Sequence, residues 1–148
     1  MDLIKRAENL FSSKATFNQK QDFLTDIPIY YDYPSKEEIE LAPELANQLI
    51  KYILFETDTD LRYLAICALI PLYHIVAVCL TGDLSEIAKN IDDFSVVEIS
   101  GLLTILGYSG NQTYKKYIEK FSDTPELKED VKYALADLDY ISKKISSK

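Results

Sequence analysis

The sequence is poor in the residues that turn, staple or activate a chain. Its 148 residues include four glycines, five prolines, two cysteines and one histidine. Tight turns draw heavily on glycine and proline. Their scarcity argues against a many-stranded sandwich and for helices. Cys67 and Cys79 both fall in apolar stretches with helical spacing and read as core thiols rather than a disulfide or a metal pair. His74, in LYHIVAV, has Tyr73 but no carboxylate, lysine or cysteine beside it in sequence, and general acid–base chemistry needs a suitable second titratable group within reach. One histidine and two cysteines without zinc spacing do not supply a tetrahedral site. Gly107 and Gly110 flank Tyr108-Ser109 in what reads as a turn, not a phosphate-cradling loop. The expectation is a chain without enzymatic activity, metal or cofactor.

Long hydrophobic runs are also nearly absent. The one challenge is Leu64 to Leu80, LAICALIPLYHIVAVCL, which contains no Asp, Glu, Lys or Arg. It touches the lower limit of a membrane span, roughly 17–25 residues. Pro71 and His74 interrupt it, and no lysine-rich flanks orient it. It reads as buried helix at the centre of an α-helical domain, either one kinked helix or two. The start, MDLIKRAENLFSSK, has helical spacing at Leu3, Ile4, Ala7, Leu10 and Phe11 instead of the apolar run of a secretion signal. A cytoplasmic location is expected.

What is present is a series of helix signals. A first helix is expected over 2–13. Residues 14–34 read as a polar and aromatic extended segment, because IPIYYDYP at 27–34 carries a proline at each side and no helical period. Ser35 with Glu38 forms a capping box. Pro43 either separates two helices or kinks one. Leu45, Leu49, Ile50, Ile53 and Leu54 then give an inner face. TDTD at 57–60 supplies a loop and a cap for a helix over 60–70, and a further helix reaches Leu80. Gly82 stops it, a short helix covers 83–91, and Ser95 caps a helix over 96–106 ending at Gly107 in a left-handed conformation. Asn111 caps 112–121, and Thr124-Pro125 opens a last helix to about Lys144. No segment of length alternates with period two, so the class is all-α. One domain is expected over 1–148: an N-terminal helix and extended segment (1–34), helical hairpins (35–144) and a tail (145–148).

Three of these helices superpose with a shift of 35 residues. DLRYLAICAL from Asp60, SVVEISGLLT from Ser95 and DVKYALADLD from Asp130 align Leu61, Val96 and Val131, then Leu64, Ile99 and Ala134, then Ala65, Ser100 and Leu135, then Ala68, Leu103 and Leu138. Those steps mark one helix face, and each helix follows a less apolar or amphipathic one, at 43–55, 83–91 and 112–121. The Asp-Leu-Arg start at 60–62 and the Asp-Val-Lys start at 130–132 resemble the second helix of HEAT-like repeats, over roughly residues 43–140. The resemblance implies a short right-handed α-solenoid of about three stacked hairpins. It also implies that Asp60 with Arg62, and Asp130 with Lys132, tie neighbouring repeats. The middle repeat departs from it, with Ser95 and Glu98 and no basic residue. Such stacks leave an open face that binds macromolecules.

Charge is strongly one-sided. The net charge is −8 and the pI about 4.6. Residues 26–60 hold nine acids and two bases, and 83–98 hold five acids and one base, so that 26–98, with Arg62, carries −10. Such a surface repels nucleic acid and anionic membranes and favours basic proteins. The same acidity opposes a DNA glycosylase on a HEAT-like scaffold, which needs a basic groove. In IPIYYDYP, Ile27 and Ile29 are expected to pack down while some of Tyr30, Tyr31 and Tyr33 face outward, since tyrosine is a favoured interface anchor. In size, charge and architecture the chain resembles the small acidic, cytoplasmic immunity proteins that bacteria pair with secreted nuclease toxins, including those of contact-dependent growth inhibition. The resemblance implies a basic toxin domain as partner, met through Tyr30, Tyr31, Asp32, Tyr33, Glu37, Glu40, Asp58, Asp92 and Asp93. The alternative is a helical-repeat adaptor in a larger complex.

Overall fold

In the computed structural model, which describes residues 2–147, every regular element is helical: nine α-helices and three short 3-10 turns among the described residues. Met1 and Lys148, at the ends of the expected first segment and tail, lie outside them. The chain groups into two compact units, one ending at Gly82 and one beginning at Asp83.

The N-terminal unit holds α1 (Leu3–Asn9), α2 (Phe17–Tyr30), α3 (Lys36–Phe55), α4 (Thr59–Leu72) and α5 (Val76–Thr81). The starts of the first four are written in side-chain caps. Asp2 accepts from the N–H of Lys5, and Asp58 accepts from those of Asp60 and Leu61. Thr16 with Gln19, and Ser35 with Glu38, form complete capping boxes. Each satisfies N–H groups that a helix start leaves without intrahelical partners. The expected 2–13 helix stops at Asn9, and the expected choice at Pro43 resolves to one helix with the proline inside it. The Leu64–Leu80 stretch is two helices, broken after Leu72. No helix among the described residues is long and apolar enough to cross a membrane.

The largest departure from expectation is residues 14–34. Most of that segment is α2, and Ile27, Pro28, Ile29 and Tyr30 are its last turn. A proline inside a helix withdraws one N–H and crowds the carbonyl four residues back, here that of Leu24. So near the helix end the loss is confined to a single interior bond. The capping box fixes the start of α2, and Phe23, Leu24, Ile27 and Tyr31 bury one helical face, spaced by one, three and four residues. Ile27 is fully buried as expected, but Ile29 is 72% exposed. The period is that of a helix, not the alternation that would have turned 27, 29, 31 and 33 to one side.

Both α2 and α3 pack on α4, while α1 and α5 pack on α3. The α3 face of Ala42, Leu45, Ala46, Leu49, Ile50 and Ile53 is buried at helical spacing, and each fully buried large aliphatic side chain contributes about 1.5–3 kcal/mol. The Phe11 ring meets the buried Tyr52 edge-on at 5.7 Å between centroids. The Arg6–Asp26 ion pair (3.1 Å) links α1 to α2, and Lys20–Glu56 (3.7 Å) links α2 to the end of α3. Gly82 ends α5 where any side chain would collide with the Tyr73 hydroxyl and the Val78 carbonyl.

The C-terminal unit holds α6 (Ser85–Lys89), α7 (Val96–Tyr108), α8 (Lys115–Glu119) and α9 (Lys128–Ser146), with 3-10 turns at Ile91–Asp93, Gln112–Tyr114 and Pro125–Leu127. Ser95 and Glu98 cap α7 with a full box, as expected. The residue expected to end α7 in a left-handed conformation, Gly107, is inside the helix, and Gly110 (φ 66°) takes that conformation instead. Gly107 serves packing: a Cβ there would lie 2.8 Å from the Ala134 carbonyl oxygen, so its absence lets α7 and α9 approach. Helix α9 packs most extensively on α7 and also on α8, and it runs through Ile145, which the tail was expected to contain. Ser100 donates to the Asp130 carboxylate at 2.9 Å, a bond between α7 and α9. Asp60 is exposed in the first turn of α4. Of the aligned columns, Ala68, Leu103 and Leu138 are all buried, whereas Val96 is exposed between the buried Leu61 and Val131.

Candidate protein-docking surface

The α2–α3 connection concentrates charge. From Asp26 to Glu44 the chain carries six acids and one base, net −5. That equals the excess of the entire N-terminal unit, which has twelve acids and seven bases. The backbone reason is local. Tyr31 is the C-cap of α2, buried, and its hydroxyl donates to the Glu38 carbonyl at 2.7 Å. This bond closes the corner between α2 and the first turn of α3. Burial, and then the nearby Glu38 charge, push the Tyr31 hydroxyl up to about 12. Tyr31 therefore builds the corner from inside and offers no contact area, unlike the exposed role expected for it.

The other expected residues divide sharply. Asp32, Glu37 and Glu40 are exposed, and Tyr33 is 91% exposed. Glu37, Glu40 and Glu44 follow one another by three and four residues along the outer side of α3, and acids in a first turn also favour the helix dipole. Tyr30 is half-buried. Asp58 is exposed, but its Oδ1 accepts two backbone N–H bonds as the cap of α4. Asp92 and Asp93 belong to the C-terminal unit, in the 3-10 turn after α6, and Asp92 is ion-paired with Lys120. Expectation missed two residues: Ile29 on the outer side of α2 and Ile39 in α3, 43% exposed. The signal for Ile29 was the 23/24/27/31 spacing, visible once α2 is read as a helix.

Elsewhere the chemistry is quiet. A cavity of about 450 Å³ beside α1 and the start of α2 is lined by Arg6, Lys14 and Lys20 above Leu10 and Phe23. Its positive charge is offset by Asp22 in the lining and by Asp26 and Glu56, which pair with Arg6 and Lys20. Glu56 is a structural junction. It accepts from the Tyr52 hydroxyl (2.5 Å) and from the N–H groups of Thr57 and Asp58. Burial alone would raise its carboxyl, but those bonds and Lys20 outweigh burial and hold it below the usual range. His74 is exposed just beyond α4, and both cysteines are half-buried and not joined to each other. The Cys79 thiol donates to the Tyr73 carbonyl at 3.2 Å, and burial pushes it up, away from the thiolate a nucleophile requires. Among the described residues no group of three or more His, Cys, Asp or Glu side chains is placed to hold a metal ion.

No family model, no curated protein and no solved structure matches the chain.

Proposed function

We propose that the chain is a non-enzymatic protein-binding module whose acidic α2–α3 corner meets a basic protein. The partner that fits best is a cognate toxin domain, in particular a nuclease, and the chain is then its immunity protein. A nuclease must present lysine and arginine to phosphates, which makes it complementary to this surface. The observation that carries the reading is the −5 of Asp26–Glu44, with Asp32, Glu37 and Glu40 in solvent beside Tyr33. Opposite charge of this kind speeds encounter and selects against wrong partners. The arrangement of the helix pairs as a short HEAT-like solenoid, in a cytoplasmic protein, belongs to the same proposal.

The experiment is growth rescue. The product of the reading frame beside this one is expected to be toxic when expressed alone, and co-expression of the chain is expected to restore growth and give a stable complex. Toxicity unrelieved by the chain would remove the immunity reading.

A second reading is an adaptor in a larger assembly. It is favoured by a separate exposed face on α9, where Tyr133 and Tyr140 stand 63% and 66% exposed. Co-purification with a stable housekeeping complex through α9 would favour it.

A further inference from the structure

We infer that Ile29, Tyr33 and Ile39 are the anchors of the acidic docking surface, and that its partner presents an apolar recess rimmed by lysine or arginine. The inference rests on the reading of the corner as a surface for a basic protein and names what that protein must offer. Ile29 is 72% exposed because Phe23, Leu24, Ile27 and Tyr31 take the inner face of α2. Tyr33 follows the C-cap and is 91% exposed, the highest value among the large hydrophobic residues described. The Tyr31 hydroxyl bond to the Glu38 carbonyl draws the first turn of α3 against the end of α2. Ile39 is the next residue. Three exposed apolar side chains thus flank one closed corner, and Asp32, Glu37 and Glu40 are interleaved with them in sequence.

Charge alone does not call for this apolar content. An exposed helix end is served as well by lysine or glutamine, whereas isoleucine is β-branched and a weaker helix former. Scattered exposed hydrophobics are ordinary. Three along one connection, interleaved in sequence with exposed carboxylates, supply what an interface is made of: apolar area and a polar rim. The rim's sign selects the partner. A second copy of this chain would bring acid against acid, and like-charge juxtaposition opposes it.

The test is an NMR titration of the whole chain with three synthetic peptides: an amphipathic leucine–lysine helix, an oligolysine of equal charge, and a leucine–glutamate counterpart. The leucine–lysine peptide is expected to shift amides between Ile29 and Glu40, with oligolysine binding there at least about tenfold more weakly. The acidic peptide is expected to leave those amides unmoved. The double variant Ile29→Ser with Tyr33→Ser is expected to bring leucine–lysine affinity down to that of oligolysine. The exposure of both positions leaves the fold intact, checked by circular dichroism. The triple variant D32N/E37Q/E40Q is expected to weaken both basic peptides. Equal binding of oligolysine and the leucine–lysine peptide, or no effect of the double variant, overturns the anchor inference while the charge reading stands. Failure of both basic peptides to reach the corner overturns both.

Discussion

Two exposed tyrosine surfaces differ in what surrounds them. At the α2–α3 corner Tyr33 stands in a stretch with six acids and one base. On α9, Tyr133 and Tyr140 stand in a helix with four acids (Glu129, Asp130, Asp137, Asp139) and four bases (Lys128, Lys132, Lys143, Lys144). Both offer aromatic area, but only the first has a sign. Apolar exposure says that a surface can be covered, and charge says by what. On the proposed reading a basic partner would therefore meet the corner, while α9 is a neutral face.

The corner's scaffold is broken most severely from inside. Tyr31→Ala is expected to cost about 3–5 kcal/mol in chemical denaturation, as for other large buried aromatics, whereas Tyr33→Ala costs under about 0.5 kcal/mol. Comparable losses would contradict the division between a buried strut and an exposed anchor. The α9 face is tested through its seat. Gly107→Val would push α9 away from α7, because the new Cβ meets the Ala134 backbone, and about 1–3 kcal/mol of stability is expected to go. Partner binding at the corner is expected to persist as long as the variant is folded.

A smaller effect sharpens the charge contrast directly. D32N/E37Q/E40Q is expected to slow association with a basic partner on the order of tenfold at low salt and to flatten its salt dependence. The matched set E129Q/D137N/D139N on α9 is expected to change it by under about twofold. Equal slowing by both sets would mean that total charge, not the corner, governs encounter. The smallest effect is a pH signature. Tyr31→Phe is expected to lose the bond to the Glu38 carbonyl, about 0.5–1.5 kcal/mol. The folded state holds Tyr31 neutral up to about 12, above its ordinary value of 10.0. Its contribution is therefore complete below pH 10 and falls away as pH rises toward 12. The stability gap between wild type and Tyr31→Phe should be constant below that window and shrink through it.

Local chemistry was legible in the sequence, and tertiary compensation was not. The boxes at Ser35/Glu38 and Ser95/Glu98 were readable because a cap is made by residues three positions apart. The same logic was available at Thr16/Gln19, but the prolines and tyrosines of IPIYYDYP outweighed it. In the structure a single lost backbone bond at Pro28 is outweighed by burying Phe23, Leu24, Ile27 and Tyr31. The two C-terminal glycines were confused for a related reason. Gly107 looks like a helix stop until Ala134, distant in sequence, is seen against it. At the candidate site the carboxylates Asp32, Glu37 and Glu40 were legible because charges stay in solvent. Ile29 and Ile39 were not, since their exposure follows from which faces of α2 and α3 the unit buries. Tyr31 was misplaced outward for the same reason.

The central claim is that the corner, and not α9, receives a basic protein. Hydrogen–deuterium exchange of the whole chain, with and without a bound basic partner, tests it most directly. The account predicts new protection confined to the amides from Ile29 to Glu40, with α9 unchanged. Protection centred on Tyr133 and Tyr140, with the corner exchanging as in the unbound chain, would contradict it.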